Sequence, residues 1–173
     1  MKLKLFSKGL TLAAALFAIT GTCAVAQSFG QERARAIGEM TDSMIIQALR
    51  DDGRVSMSGG FFDYDSAELT GTSSEVLFKV ASAMATLTEM RLVLVGHTDS
   101  TGDFNYNIDL SARRANAVRR ALLGEPYNIA PERLVAIGVG PIAPVASNLG
   151  DEGRALNRRV EFVMLDEELS TSN

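Results

Sequence analysis

The sequence predicts an α/β fold of the α+β sandwich type, with helices packed on one sheet. Four short segments are either continuously apolar or alternate between apolar and polar residues, as strands do. Between them, apolar residues recur every three or four positions, as in helices. The segments follow the order β-α-β-α-β-β after an N-terminal helix. With 173 residues, 46% of them apolar, the chain is long enough for one domain with a hydrophobic core but too short for two of full size.

Residues 1–26 have the pattern of a secretory signal. Three lysines precede an apolar run over residues 10–19, and an Ala-Val-Ala cleavage site follows at residues 24–26. The apolar run is about half of the ~20 residues needed to span a bilayer, and no later stretch is both long and uncharged enough. We therefore expect an exported, soluble protein without a transmembrane segment, beginning at Gln27.

A second possibility is that Cys23 is the lipidated first residue of a lipoprotein. Thr22, which precedes it, is bulkier than the Gly, Ala or Ser expected at that position. Lipidation would make the chain an outer-membrane lipoprotein, but cleavage before Gln27 is the favoured prediction.

The composition argues against several classes of protein. A net charge of −4 at pH 7 does not suggest a polyanion-binding surface, so nucleic acid is not an expected partner. One histidine and one cysteine are too few for a zinc site of His and Cys ligands or for a disulfide. No motif indicates another metal or a cofactor.

The segment 27–54 contains the predicted N-terminal helix, from Gln31 to Arg50. Asp51-Asp52-Gly53 then ends it. This helix could bind a partner through its apolar stripe, which contains methionines, but packing against its own domain is the favoured interpretation. The stripe consists of Ile37, Met40, Met44, Ile45, Ala48 and Leu49.

The first strand and the next helix are predicted from local signals. The strand begins at Val55 and reaches Phe62, with a bulge or close approach at Gly59-Gly60. The Thr-Ser-Ser-Glu run at residues 72–75 has capping-box spacing and predicts a helix to about Glu89.

Three further strands follow. A continuous apolar run at residues 92–95 predicts a fully buried strand that leads into Gly96-His97-Thr98-Asp99. The third strand covers residues 134–139. A loop leads from there to the final strand at residues 159–164, where apolar and polar residues alternate.

Asp99 and Arg114 are the candidate binding pair. Asp99 follows the carboxyl end of a buried strand, where open α/β sheets place their ligand crevice. If Ser111 caps the next helix, Arg113 and Arg114 lie in its first turn, where the macrodipole disfavours cations and an anion is therefore expected. A carboxylate and a guanidinium together suit a zwitterion. The alternative is that Asp99 and Arg114 pair with each other.

Catalysis has weaker support in the sequence. His97 is the only histidine and no nucleophile elbow accompanies it, so we expect it to hydrogen-bond its neighbours at the strand end. Asp63, Asp65 and Asp99 could supply paired carboxylates, but surface acids are common in an acidic chain.

Four runs of residues carry a resemblance to a known family. They are FDYDSAEL at residues 62–69, GHTD at 96–99, LSxxRA at 110–115 and NRRVE at 157–161. Together they resemble the OmpA-like peptidoglycan-binding domain, over residues 55–165. Residues 166–173 fall outside the resemblance and are expected to form a solvated tail.

The resemblance implies a β-α-β-α-β-β domain with one mixed sheet that anchors the envelope by binding peptidoglycan without catalysis. Its ligand would be the diaminopimelate residue of the peptide stem, with Asp99 taking the ammonium group and Arg114 the carboxylate. The location would be periplasmic, associated with the cell wall or outer membrane. Further matches to family positions that line or shape the pocket are Thr98, Asn107, Asp65 and Phe62, and Arg158 falls in the matching Asn-Arg-Arg run.

Two other functions stay open on the sequence alone. A secreted peptidoglycan hydrolase would need a nucleophile with a base, two placed carboxylates or a metal-bound water, and the motifs contain no recognisable arrangement of this kind. An adaptor would bind an envelope protein through the N-terminal helix.

Export can be tested directly by mass. Intact-mass measurement of the protein from the periplasm should give a chain that starts at Gln27, because the cleavage site ends at Ala26. A mass matching a diacylated or triacylated Cys23 would instead establish the lipoprotein.

Overall fold

The computed structural model describes residues 37–62 and 65–165. The predicted signal with Cys23, the start of the N-terminal helix, Asp63 and the tail lie outside these residues. None of the described helices is long and apolar enough to cross a membrane. The helices are α1 (Asp42–Asp52), α2 (Ser73–Thr86), α3 (Phe104–Leu123) and α4 (Asp151–Asn157), and the strands are β1 (Arg54–Ser58), β2 (Arg91–His97), β3 (Leu134–Gly140) and β4 (Arg159–Leu165).

The four strands form one mixed sheet in the order β1-β4-β2-β3. β2 and β3 are parallel, and β4 is antiparallel to both of its neighbours, β1 and β2. A parallel pair needs a crossover connection, and α3 provides it between β2 and β3. The predicted α/β fold with helices on one mixed sheet is confirmed.

The core lies between the helices and one face of the sheet. On this face the strand register places Val55, Phe162 and Leu94 side by side, and all three are fully buried. On the opposite face, Val135 and Ile137 of β3 are 43% and 44% exposed. Along β3 and the middle of β2, the sheet is therefore fully packed on one side only.

This one-sided packing makes the prediction of a fully buried second strand wrong. Leu92 and Leu94 of β2 are buried, whereas Val93 and Val95, which point to the other face, are only partly buried. A continuous apolar run cannot distinguish these two cases, because it fits burial on either face.

The predicted N-terminal helix is divided. Ile37–Glu39 forms a 3-10 turn, and α1 begins after Thr41, whose Oγ1 accepts a hydrogen bond from Met44 N at 3.4 Å. Gly53 ends α1 in the left-handed conformation, as the Asp-Asp-Gly run predicts. Met44 is 45% exposed, but the rest of the stripe is buried in the domain's own core: Ile37, Met40, Ile45, Ala48 and Leu49.

The loop after β1 differs from the predicted bulged strand. β1 ends at Ser58, because Gly59 and Gly60 take positive φ angles of 84° and 70°. Phe62 forms an isolated bridge with Leu69 instead of extending the strand.

The predicted capping box of α2 is also wrong. The Thr72 side chain makes no cap hydrogen bond, and its backbone is already helical. Its hydroxyl lies 2.8 Å from Thr70 Oγ1 and donates to Gly60 O at 3.4 Å, so it fastens the helix to the loop after β1. The helix ends at Thr86, short of Glu89.

α3 begins earlier than predicted. Asp103 is its N-cap and accepts a hydrogen bond from Tyr106 N at 2.8 Å, so Ser111 lies inside the helix and does not cap it. The Ser111 hydroxyl donates to Ile108 O at 2.8 Å and accepts from Gly140 N at 2.9 Å. Ser111 therefore joins α3 to the end of β3.

The same region of α3 lies unusually close to the sheet. A Cβ atom on Gly96 would be 2.0 Å from Ser111 O, and one on Gly138 would be 2.2 Å from Ala112 N. Because both contacts are to backbone, only glycine allows the helix to approach β2 and β3 to this distance.

α4 was not predicted, since residues 141–158 have the composition of a loop. The helix is short, and Gly153 at its centre weakens the helical signal. A Cβ on Gly153 would be 1.9 Å from Ser147 O, which explains why glycine is required there.

Gly96→Ala should destabilise the domain by roughly 1–3 kcal/mol, because the new methyl group must push α3 off the sheet. Gly71→Ala is the matched control, since a Cβ at Gly71 meets nothing within 4 Å. Urea denaturation measures both. Equal midpoints for the two variants would contradict the close approach.

Candidate functional site

A pocket of about 590 Å³ opens where the carboxyl end of β2 meets α3, α4 and the loop after β1. All of the site residues predicted from the sequence line it: Phe62, Asp65, Thr98, Asp99, Asn107, Arg114 and Arg158. Asp151 and Arg154 of α4 and Thr101 also line the pocket and were not predicted as site residues.

Asp99 is the buried carboxylate of the pocket, with 8% of its surface exposed. Its Oδ2 accepts a hydrogen bond from Arg158 Nη1 at 2.7 Å, and its Oδ1 accepts one from Thr101 N at 2.9 Å. Burial alone would raise the pKa of Asp99, but the hydrogen bonds from Arg158 and Thr101 outweigh it and hold the pKa below its usual value. Asp99 is therefore ionised at neutral pH.

The ion pair of Asp99 is thus made with Arg158 and not with Arg114, the alternative raised by the sequence. The Arg158 side chain is 45% exposed, whereas the Asp99 side chain is 11% exposed. The arginine is consequently the member of the pair that is free to move.

Arg114 is the buried cation of the pocket, with 5% of its surface exposed. Its Nε donates to Ser66 O at 2.8 Å, and its guanidinium carbon lies 5.2 Å from the centre of the Phe62 ring. Burial, followed by the nearby charge of Arg158, lowers the pKa of Arg114, although a guanidinium remains protonated in proteins. Within the described residues only Nε donates a hydrogen bond, which leaves the terminal nitrogens for another acceptor.

The macrodipole argument for this arginine was wrong. Because α3 begins at Phe104, Arg113 and Arg114 lie well beyond its first turn. Arg113 lies outside the pocket lining, over the ring of Tyr106, and pairs with Asp109 at 2.8 Å. Arg114 reaches the pocket because it shares a helix face with Asn107 and Leu110, which also line it.

Two polar side chains complete the interior of the pocket. The Thr98 side chain is buried, and its Oγ1 has no hydrogen-bond partner among the described residues. Asn107 is buried as well and donates from Nδ2 to Thr101 O at 2.8 Å. A buried hydroxyl without a partner is costly, so Thr98 is a residue that packing alone does not explain.

Asp65 and Phe62 form the rim on the side of the loop after β1. Asp65 has a positive φ of 52°, and its Oδ1 accepts a hydrogen bond from Tyr106 on α3 at 2.7 Å. Phe62 is half-buried beneath Arg114. These contacts join the loop to α3 across the pocket mouth.

His97 lies outside the pocket lining and is only 4% exposed. Its Nε2 is 3.7 Å from Glu161 Oε1, and neither ring nitrogen has a hydrogen-bond partner among the described residues, so the expected hydrogen bonds are not formed. Burial and the charge of Arg159 lower the pKa of His97 to about 4, against the opposing effect of Glu161. The ring is neutral at pH 7.

The chain is similar in sequence to known proteins. The profile of the OmpA family matches residues 61–158. Outer membrane porin F of Pseudomonas aeruginosa is 43% identical over 100 residues, which are 58% of this chain and 28% of that protein. Peptidoglycan-binding protein ArfA of Mycobacterium tuberculosis is 39% identical over 103 residues, which are 60% of this chain and 31% of that protein. The chain thus covers less than a third of either relative.

Two solved structures are also similar to this chain. The peptidoglycan-associated lipoprotein of Burkholderia pseudomallei superposes with a TM-score of 0.55 at 30% identity, covering 61% of this chain and 87% of that one. The cell wall anchor of the T6SS from Pseudomonas aeruginosa superposes with a TM-score of 0.57 at 26% identity, covering 73% of this chain and 98% of that one.

His97 should give the domain a measurable sensitivity to acid. Its pKa is about 4 when folded and 6.5 when free, so the unfolded chain takes up a proton first and stability falls as the pH drops from 6.5 towards 4. Between pH 7 and pH 5, wild type should lose about 1–2 kcal/mol more than His97→Asn in urea denaturation. If the free energies of unfolding of the two proteins change equally with pH, His97 is not held neutral by the fold.

Proposed function

The chain belongs to the OmpA family, and we propose that it binds cell-wall peptidoglycan non-covalently and serves as a structural anchor in the envelope. The observation that carries this proposal is one pocket that contains an ionised buried carboxylate, Asp99, and a buried guanidinium, Arg114. Such a pair matches a ligand that carries an ammonium group and a carboxylate on one residue.

The ligand we propose is the diaminopimelate residue of the peptide stem. Its ammonium group would bind Asp99, and its carboxylate would bind the terminal nitrogens of Arg114. Thr98, which lines the same pocket, would lie beside the bound residue. The half-exposed Arg158 would share Asp99 with the ammonium or turn towards the ligand carboxylate.

The names of similar proteins support the same function. One relative is described as a peptidoglycan-binding protein, and the structural neighbours are a peptidoglycan-associated lipoprotein and a cell wall anchor. We accordingly place this chain in the periplasm, associated with the cell wall or outer membrane, with residues 1–26 as its export signal.

Hydrolysis of peptidoglycan is less consistent with the site. A hydrolase needs a general acid, or a nucleophile with a base, in contact with the substrate. Asp99, ionised against Arg158, is suited to hold a cation and not to donate a proton, and His97 lies outside the pocket. Binding without catalysis is therefore the function we favour.

The adaptor function finds little support in the described part of the N-terminal segment. Apart from Met44, the stripe that would contact an envelope protein is buried in the domain's own core. A partner could reach these side chains only by unfolding the segment.

Asp99→Ala and Arg114→Ala should each reduce co-sedimentation with isolated diaminopimelate-containing sacculi by more than tenfold. Removing one charge from a buried, hydrogen-bonded pair costs on the order of 2–5 kcal/mol of binding. Asp109→Ala and Arg113→Ala are the matched controls, because these residues form an exposed ion pair on the same helix and lie outside the pocket lining. Both controls should sediment like wild type.

Free diaminopimelate distinguishes the proposed ligand from other parts of the wall. It should compete with sacculi for the wild-type protein, whereas cadaverine, which has both amino groups but neither carboxylate, should compete more weakly. Retained binding by folded Asp99→Ala or Arg114→Ala, with folding checked by circular dichroism, would show that the site assignment is wrong. If both variants lose binding to sacculi but diaminopimelate does not inhibit binding by wild type, the site assignment stands and diaminopimelate is not the ligand.

A further inference from the structure

We propose that Asn148, held in place by the buried Asn157, is a positioning residue that fixes the loop of Asp99 for ligand binding. This inference rests on the proposed function, because it concerns the same pocket. Neither asparagine lines the pocket, so any effect on binding would have to pass through other residues.

Asn157 is the fixed point of the arrangement. It ends α4, is fully buried, and uses its whole hydrogen-bonding capacity. Its Oδ1 accepts from Val145 N at 2.8 Å and Ala146 N at 3.1 Å, and its Nδ2 donates to Ala146 O and Asn148 Oδ1, both at 2.9 Å. The loop between β3 and α4 is thus fastened to one side chain.

Asn148 carries this connection to the binding site. Its Oδ1 accepts from Asn157 Nδ2 and also from Ser100 N, at 3.2 Å. Ser100 directly follows Asp99, and Thr101 N hydrogen-bonds to Asp99 Oδ1. One oxygen atom therefore connects α4 to the turn that orients the ligand-binding carboxylate.

A second connection leaves the same point along the backbone. Arg158 is the residue after Asn157 and donates to Asp99 Oδ2. Two connections therefore lead from Asn157 to Asp99. One passes through Asn148 and Ser100, and the other passes through Arg158.

Arg154 holds Asn148 from the backbone side. Its Nη1 donates to Asn148 O at 2.8 Å and to Leu149 O at 3.1 Å. The main chain of Asn148 is therefore fixed independently of its side chain. A change of the side chain should alter the contact to Ser100 without releasing the loop.

The arrangement uses only the oxygen of the Asn148 side chain. Both hydrogen bonds of that side chain are accepted by Oδ1, and its Nδ2 makes no hydrogen bond among the described residues. An aspartate can accept both bonds, whereas alanine can accept neither. The pair Asn148→Asp and Asn148→Ala therefore separates positioning from bulk structural effects.

The test uses the mature chain and a soluble diaminopimelate-containing stem peptide as probe, with affinities measured by calorimetry. Asn148→Ala should bind about three- to tenfold more weakly than wild type, the loss expected from one hydrogen bond. Asn148→Asp should bind at least as tightly as wild type. Measurements are made at a temperature where circular dichroism shows every variant to be folded.

Amide hydrogen exchange provides a readout independent of binding. Protection of the Ser100 amide should be lost in Asn148→Ala and kept in Asn148→Asp, because only the second retains an acceptor for it.

The outcomes are distinguishable. Wild-type affinity in Asn148→Ala, or equal weakening in both variants, overturns the positioning role while the proposed function stands. Absence of peptide and sacculus binding by wild type itself would count against the proposed function, and the Ser100 exchange data would then decide whether the contact orders the loop.

Discussion

The structure depends on the close contact between α3 and the sheet at Gly96 and Gly138. A single Cβ on either strand would occupy the space of the Ser111 and Ala112 backbone. The contact fixes α3 against the ends of β2 and β3, and the Ser111 hydroxyl adds a hydrogen bond to Gly140 N. As a result Arg114, one turn further along α3, comes to lie beside the loop that carries Asp99. The geometry of the binding pair is therefore set by backbone packing.

The two buried charges of the pocket, Asp99 and Arg114, are not paired with each other. A buried ion pair between Asp99 and Arg114 would have satisfied both groups and closed the site. Instead Asp99 pairs with Arg158, whose side chain is 45% exposed, and Arg114 is held by a carbonyl and an aromatic ring. If a ligand ammonium replaced it at Asp99, water could solvate the half-exposed arginine. The pocket thus holds both charges in place without joining them in one ion pair.

The sequence predicted the strand order along the chain, the four strands and the pocket residues more reliably than the helix ends. Periodicity identified the strands because one face is buried. Asp99 was identified by its position after a strand and Arg158 only by the family resemblance, and both line the pocket. The start of α3 was missed because Asp103 caps it in place of Ser111. The start of α2 after Thr72 was predicted correctly, but Thr72 bonds to Gly60 and not to its own helix. These choices depend on tertiary contacts, which no local pattern contains.

α4 shows why the rest of the site could not be predicted. It is seven residues long and has no buried apolar face. Its position is fixed by the buried Asn157 and by the close approach of the Ser147 backbone to Gly153. This side of the pocket is held by buried hydrogen bonds, each of which requires one particular arrangement of its partners. Its geometry is therefore more precisely defined than apolar contacts alone would make it. For the proposed site, which would hold two ligand charges at a set separation, such specificity matters more than the stability that an apolar helix would have added.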